Sequence, residues 1–353
     1  MPALTARLVH HPIIGCCDAT LRGIGMTGFA NNPLSGLLFT TAAFTVSPWL
    51  ALAVGVGGLA ATLSALVLGI ARDDIRAGLY GYNGALVGGG FAIFLSTNWS
   101  LVVVGYIVCG AALSTVLMAA LMHLMANHWG LPPVALPFNI LVIGLLLAAQ
   151  SMKDGPLSAS TPGVEEVVAL PYDADVDTRF TTAVSHGIGQ VLFAPHLAAA
   201  ALVLTGIVLC CWQNAVLAVL GSATATLTAI AVGVDPMQIS LGLFGLNGFL
   251  TCVALGGVFV SRPSLGSALF GIIGAAAAAV SAIALNRVAA EFGLPGSLTL
   301  AYCGVTALLV GARVVAPRIS GVAHTGKPVP AQAIPADVPA SAPALASGIE
   351  RRD

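Results

Sequence analysis

Five runs of the chain carry almost no charge over lengths that match a lipid bilayer. Pro33–Leu59, Ser100–Met125, Val134–Gln150, Ala198–Val219 and Ser264–Leu285 approach or exceed the roughly 20 residues a helix needs to cross the hydrocarbon layer. Of the 353 residues 58% are hydrophobic and 8% charged, whereas a water-soluble domain carries about a quarter charged side chains. No soluble surface can be built from that stock, so the expected fold is an all-α polytopic membrane protein. Its 41 glycines suit helices that must approach closely where lipid removes the hydrophobic drive between them. The net charge of −1 and the scattered Lys and Arg offer no basic patch, so nucleic acid is not an expected partner. None of the seven cysteines forms a C-x-x-C pair, so neither a zinc site nor a disulfide framework is indicated. The N-terminal "MPALTARLVHHPIIGCC" has no continuous apolar core followed by a small-residue cleavage site, and no removable signal peptide is expected.

The chain also contains itself twice. "GLYGYNGALVGGG" begins at Gly78 and "GLFGLNGFLTCVALGG" at Gly242, 164 positions later. At the same offset "GIGMTGFA" from Gly23 meets "GIGQVLFAP" from Gly187, and one extra residue in the second copy brings "GLPPVALPF" from Gly130 and "GLPGSLTLAY" from Gly293 into line. That alignment sets Ala135 beside Thr299 and Phe138 beside Tyr302. The expected organisation is therefore a first half at 1–152, an acidic extramembrane linker at 153–179, a second half at 180–316, and a disordered Pro/Ala-rich tail at 317–353. Lys and Arg near the termini and in "RDDIR", against a linker rich in Asp and Glu, predict cytoplasmic termini and an external linker. Each half then crosses an odd number of times, with about five helices plus re-entrant segments, and the halves are inverted. Inverted repeats are an architecture of transporters and channels, with the pathway between the repeats.

The chemistry on offer is sparse. Gly81, Asn83 and Gly84, with Gly245, Asn247 and Gly248 in the second copy, predict broken or re-entrant backbone, which is tolerated at that depth only where it is buried or lines a cavity. Pro132, Pro133 and Pro137 free carbonyl groups from helix pairing. His123, His128, His186 and His196 lie near segment ends, and no acidic residue sits deep in an apolar run. A proton relay or sodium site wants a buried carboxylate, so a passive path for a neutral solute is favoured over an ion-coupled secondary transporter. An ammonia channel would be expected to show mid-pore histidines. No credible catalytic set stands out, and neither an enzyme nor a resident cofactor is expected. Gly23, Gly25 and Gly28 spell G-x-G-x-x-G, but a dinucleotide turn follows a strand and opens a helix in a βαβ unit. The second copy has Leu192 where the third glycine would fall, so no nucleotide is expected.

"RGIGMTGFANNPLSGLLF", "GLYGYNGALVG", "LPPVALPFN" and "GLFGLNGFLTCVALGGVF", in this order and duplicated, resemble the urea transporter family of channel-like proteins over roughly residues 15–316. The resemblance implies facilitated diffusion of urea or a closely related small neutral amide. It also implies a homotrimer in the plasma membrane (the inner membrane of a bacterium), with one pore per protomer. The slot positions it implies are Phe29, Tyr82 and Leu86 with Phe193, Leu246 and Leu250, and the polar positions are Gln190 and Thr299. Three residues depart from the family pattern: Met26 stands where a glutamine is expected, Ala135 where a threonine is expected, and Leu246 where a phenylalanine is expected. The first half has thus lost side-chain oxygens. Restoring them by Met26→Gln and Ala135→Thr is expected to increase urea flux.

Overall fold

A computed structural model describes residues 12–94, 100–151, 176–260 and 263–315, and every regular element among them is helical. The first set is α1 (Pro12–Met26), α2 (Pro33–Phe44), α3 (Pro48–Val67), the short α4 (Arg72–Arg76), α5 (Gly81–Phe94), α6 (Leu101–Leu121) and α7 (Leu136–Ala149). The second is α8 (Val176–Gly189), α9 (Leu197–Cys210), α10 (Trp212–Val232), the short α11 (Pro236–Ser240), α12 (Leu243–Val253), α13 (Leu265–Glu291) and α14 (Leu300–Val315). A π-helical turn extends α6 over Met122–Asn127 and another extends α12 over Ala254–Val258, while α8 tightens into a 3-10 turn at Gln190–Leu192.

The offset of 164 carries the first seven elements onto the last seven in order, residue for residue at α4 and α11. It also carries the unusual backbone: φ is positive at Phe29 (62°) and Phe193 (58°), at Val134 (40°) and Leu298 (50°), and at Gly78 (73°) and Gly242 (77°).

By length and composition four helices can cross a membrane, Pro48–Val67, Leu101–Asn127, Trp212–Val232 and Leu265–Glu291, and the pair Arg179–Leu192 and Leu197–Cys210, bent by 66°, has the form of a broken span or a re-entrant loop. Pro33–Phe44, Leu136–Ala149, Leu243–Val258 and Leu300–Ala312 are shorter apolar helices. The chain is an all-α polytopic membrane protein. Two of the five apolar runs, however, are each divided between two helices. Pro33–Leu59 breaks after Phe44 because Ser47 accepts from the Leu50 amide and Pro48 supplies the first helical residue of α3, the pairing that favours a new helix start. Ala198–Val219 breaks at Cys211, whose backbone is extended.

No break falls inside the motif itself: α5 begins at Gly81 and continues through Asn83 and Gly84, and α12 continues through Gly245, Asn247 and Gly248. The glycines instead let helices touch. A Cβ on Gly84 would stand 2.5 Å from the Gly57 carbonyl oxygen of α3, and one on Gly248 would stand 2.4 Å from that of Gly221 in α10. The two sets of helices also meet directly, where the Ser35 hydroxyl of α2 donates to the Gly206 carbonyl of α9 at 2.6 Å. Helix α8 begins at Val176, inside the range expected as linker; the rest of that linker and the tail at 317–353 lie outside the described residues.

Candidate functional site

The glycine motif near residue 25 shapes the chain reversal that precedes α2. Gly23 and Gly25 lie in the last turn of α1, not after a strand. A Cβ on Gly25 would fall 2.3 Å from the Ala30 carbonyl oxygen, and one on Gly189 would fall 2.1 Å from that of Ala194. That room allows the Ala30 amide to return to the Gly25 carbonyl (3.0 Å) and the Ala194 amide to return to the Gly189 carbonyl (3.2 Å). Phe29 and Phe193 sit at the apex of these two reversals, each in the left-handed region. Gly28 has a different reason for being glycine, since a Cβ there would meet the Phe39 ring at 2.8 Å.

These reversals open onto a cavity of about 590 Å³. All ten residues expected to touch a solute line it, as five pairs 164 positions apart: Met26 with Gln190, Phe29 with Phe193, Tyr82 with Leu246, Leu86 with Leu250, and Ala135 with Thr299. Each phenylalanine reaches into rings of the other set of helices. Phe29 meets Tyr302 edge-on at 6.3 Å and Phe259 at 6.5 Å, while Phe193 meets Phe138 and Phe94, both at 6.2 Å. The lining contains no charged side chain and no histidine. An ion entering it would lose its hydration without a counter-charge, whereas a small neutral molecule needs only hydrogen-bond partners.

Those partners are few and held in place. Gln190 Nε2 donates to the Leu241 carbonyl at 2.9 Å, which orients the side-chain amide. The Thr299 hydroxyl accepts from Asn139 Nδ2 at 2.8 Å while the Thr299 amide donates to Asn139 Oδ1 at 3.2 Å, a two-point bridge between α7 and the start of α14. The Tyr82 hydroxyl donates to the Val134 carbonyl at 2.6 Å.

The expected positions did not include the groups that fix this wall. Asn83 Nδ2 donates to the Val134 carbonyl at 3.4 Å and Oδ1 accepts from the Phe138 amide at 3.2 Å; Asn247 repeats this with the Leu298 carbonyl (3.0 Å) and the Tyr302 amide (2.9 Å). Each asparagine thus clamps a positive-φ turn and caps the helix that follows. It is the only polar side chain common to the two G-L-aromatic-G-x-N-G-x-L copies, and that was the available signal. Trp49, Phe94, Met118, Met122 and Phe259 also line the cavity without any sequence motif to mark them. The histidines serve elsewhere: His196 Nδ1 accepts from the Ala199 amide at the start of α9, and His186 Nδ1 pairs with the Ser240 carbonyl at 2.7 Å.

Fold and cavity together define a class: polytopic helical membrane proteins that enclose an uncharged, mainly apolar cavity. The urea transporter family profile matches residues 17–314. Among similar proteins, urea transporter 1 of Capra hircus is 30% identical over 305 residues, covering 83% of this chain and 76% of that protein. Urea transporter 1 of Ovis aries is 28% identical over 302 residues with the same coverage, and that of Mus musculus is 29% identical over 249 residues, 69% of this chain and 64% of that protein. The chain belongs to the urea transporter family.

Proposed function

We propose that the chain conducts urea, or a closely related small neutral amide, down its gradient through this cavity. One observation carries the reading: a lining without charge that still offers the Gln190 amide, the Thr299 hydroxyl and the Leu298 carbonyl of the second clamped turn. Urea is planar, neutral and rich in N–H donors, so apolar and aromatic faces can slide past its plane while oxygens replace the water it sheds. Coupling to sodium or protons would ask for a carboxylate in the path, and an ammonia path would ask for a histidine; the lining holds neither. Purified protein in liposomes should accelerate urea entry in stopped-flow light scattering, and the rate should be unchanged by sodium or proton gradients. Urea uptake no faster than in bare vesicles refutes the reading; uptake that follows an imposed ion gradient replaces it with coupled transport.

The surrounding architecture is part of the same proposal. The halves 1–152 and 180–316 are inverted about an axis in the membrane plane, with cytoplasmic termini and the pathway between them. The element-by-element offset and the unequal charge of termini and linker support this. Protomers associate as a homotrimer in the plasma membrane, which native mass spectrometry in detergent would test.

A further inference from the structure

We propose that the cavity is asymmetric, with open hydrogen-bonding groups at three positions of the second repeat whose counterparts in the first are apolar or already filled, and that its solute class is small primary carboxamides with one short alkyl group. The inference rests on the conduit proposed above and names what it prefers.

Three matched positions all lean the same way. Gln190 uses its Nε2 on Leu241, and among the described residues its Oε1 has no donor, so it remains an acceptor; its counterpart in the first repeat is Met26. The Thr299 hydroxyl takes its hydrogen bond from Asn139, and its own hydrogen faces only the weakly accepting Cys303 thiol, so a solute carbonyl can take it; its counterpart is Ala135. The bridge runs one way, because the counterpart of Asn139 is Cys303. The third position is backbone. Tyr82 and Asn83 both donate to the Val134 carbonyl, filling its two lone pairs. Leu246 stands where Tyr82 does in the other repeat, so among the described residues the Leu298 carbonyl accepts only from Asn247 and retains an acceptor site. The Ala135 carbonyl is likewise doubly used, by the Asn139 amide and by Asn139 Nδ2.

The second repeat therefore presents two open acceptors and one donor, and at these positions the first presents a thioether and a methyl group. A primary carboxamide has the matching edges: an NH2 group for Gln190 Oε1 and the Leu298 carbonyl, a carbonyl for the Thr299 hydroxyl, and an alkyl group for Met26 and Ala135. Acetamide and urea differ by a methyl against a second NH2 of nearly the same size. For urea that second NH2 faces the Met26 thioether and the Ala135 methyl group, and a buried donor left unpaired slows passage by about tenfold.

The test compares acetamide and urea entry into liposomes bearing the full-length protein, with bare-vesicle rates subtracted for each solute. The expected result is protein-mediated acetamide flux about tenfold above that of urea. Copying the second repeat into the first by Met26→Gln with Ala135→Thr is expected to raise urea flux and bring the two solutes close to parity. Wild-type urea flux equal to or above acetamide flux overturns the inference while leaving the conduit standing, and this comparison needs no variant. A conducting double variant with an unchanged ratio overturns it as well. Flux of neither solute overturns the conduit itself and the inference with it.

Discussion

A phenylalanine in the left-handed backbone region is disfavoured by about 1–2 kcal/mol, and here it occurs twice, at Phe29 and Phe193. Glycine would relieve that strain, so the ring is what the position keeps. Strain retained at equivalent places beside a cavity points to a role in it, and in the proposed conduit the two rings would narrow the path to a slot. Phe193→Ala should therefore let glycerol pass at rates above bare lipid where the wild type passes none, measured by the same vesicle shrinkage assay. The clamp asparagines act on stability instead. Asn247→Ala would strand the Leu298 carbonyl and the Tyr302 amide, and unpaired buried groups cost about 1–3 kcal/mol each. We expect a loss of about 2–4 kcal/mol, seen as a lower unfolding temperature in detergent. Asn83→Ala should cost less, because Tyr82 still satisfies the Val134 carbonyl. At this scale the sequence was an incomplete guide. The resemblance to urea transporters singled out Met26, Gln190 and the slot residues, which the repeat sets at matched positions, but Asn83 and Asn247 looked like breaks in a helix. A side chain that turns back to hold its neighbour's backbone leaves the same letter in the sequence as one that interrupts a helix.

Among the elements, the glycines separate into two populations by what surrounds them. Gly84 faces the Gly57 carbonyl at a distance no Cβ can occupy, while around Gly105 in α6 nothing lies within 4 Å. Gly84→Ala should force α3 and α5 apart and destabilise by about 1–3 kcal/mol, the usual result of overpacking. Gly105→Ala should be neutral or add up to about 1 kcal/mol through better helix propensity. Thermal melts of the two variants side by side test the contrast, and an equal effect of both would discredit the close approach of α3 and α5. Helix boundaries were hard to read for a related reason. In a soluble protein, polar faces and turns contrast with apolar ones; here the run from Pro33 to Leu59 is apolar on both sides of its break. Only Ser47 and Pro48 betray it, and a serine before a proline inside an apolar stretch is a faint mark. Conversely, the duplicated motifs located helices well, because the offset that relates Gly78 to Gly242 also relates α4 to α11.

At the scale of the molecule, two copies of one backbone have kept their geometry and divided their chemistry. The shared positive-φ sites preserve the shape, while the side chains at 26, 82 and 135 have parted from those at 190, 246 and 299. A further consequence lies in where α7 and α14 begin. Each starts next to a cavity-lining residue, Ala135 and Thr299 respectively, and the Asn139–Thr299 bridge ties the two starts together. A helix start carries roughly half a positive elementary charge, so two such ends sit at the same depth of an uncharged path. Hydronium and metal cations meet electrostatic repulsion there in addition to the loss of their hydration. Liposomes bearing the protein and clamped with valinomycin should take up protons no faster than bare ones, and a proton current that rises with protein content would contradict this. A passage of this kind would act as an electrical insulator, admitting its solute without discharging the voltage across the membrane.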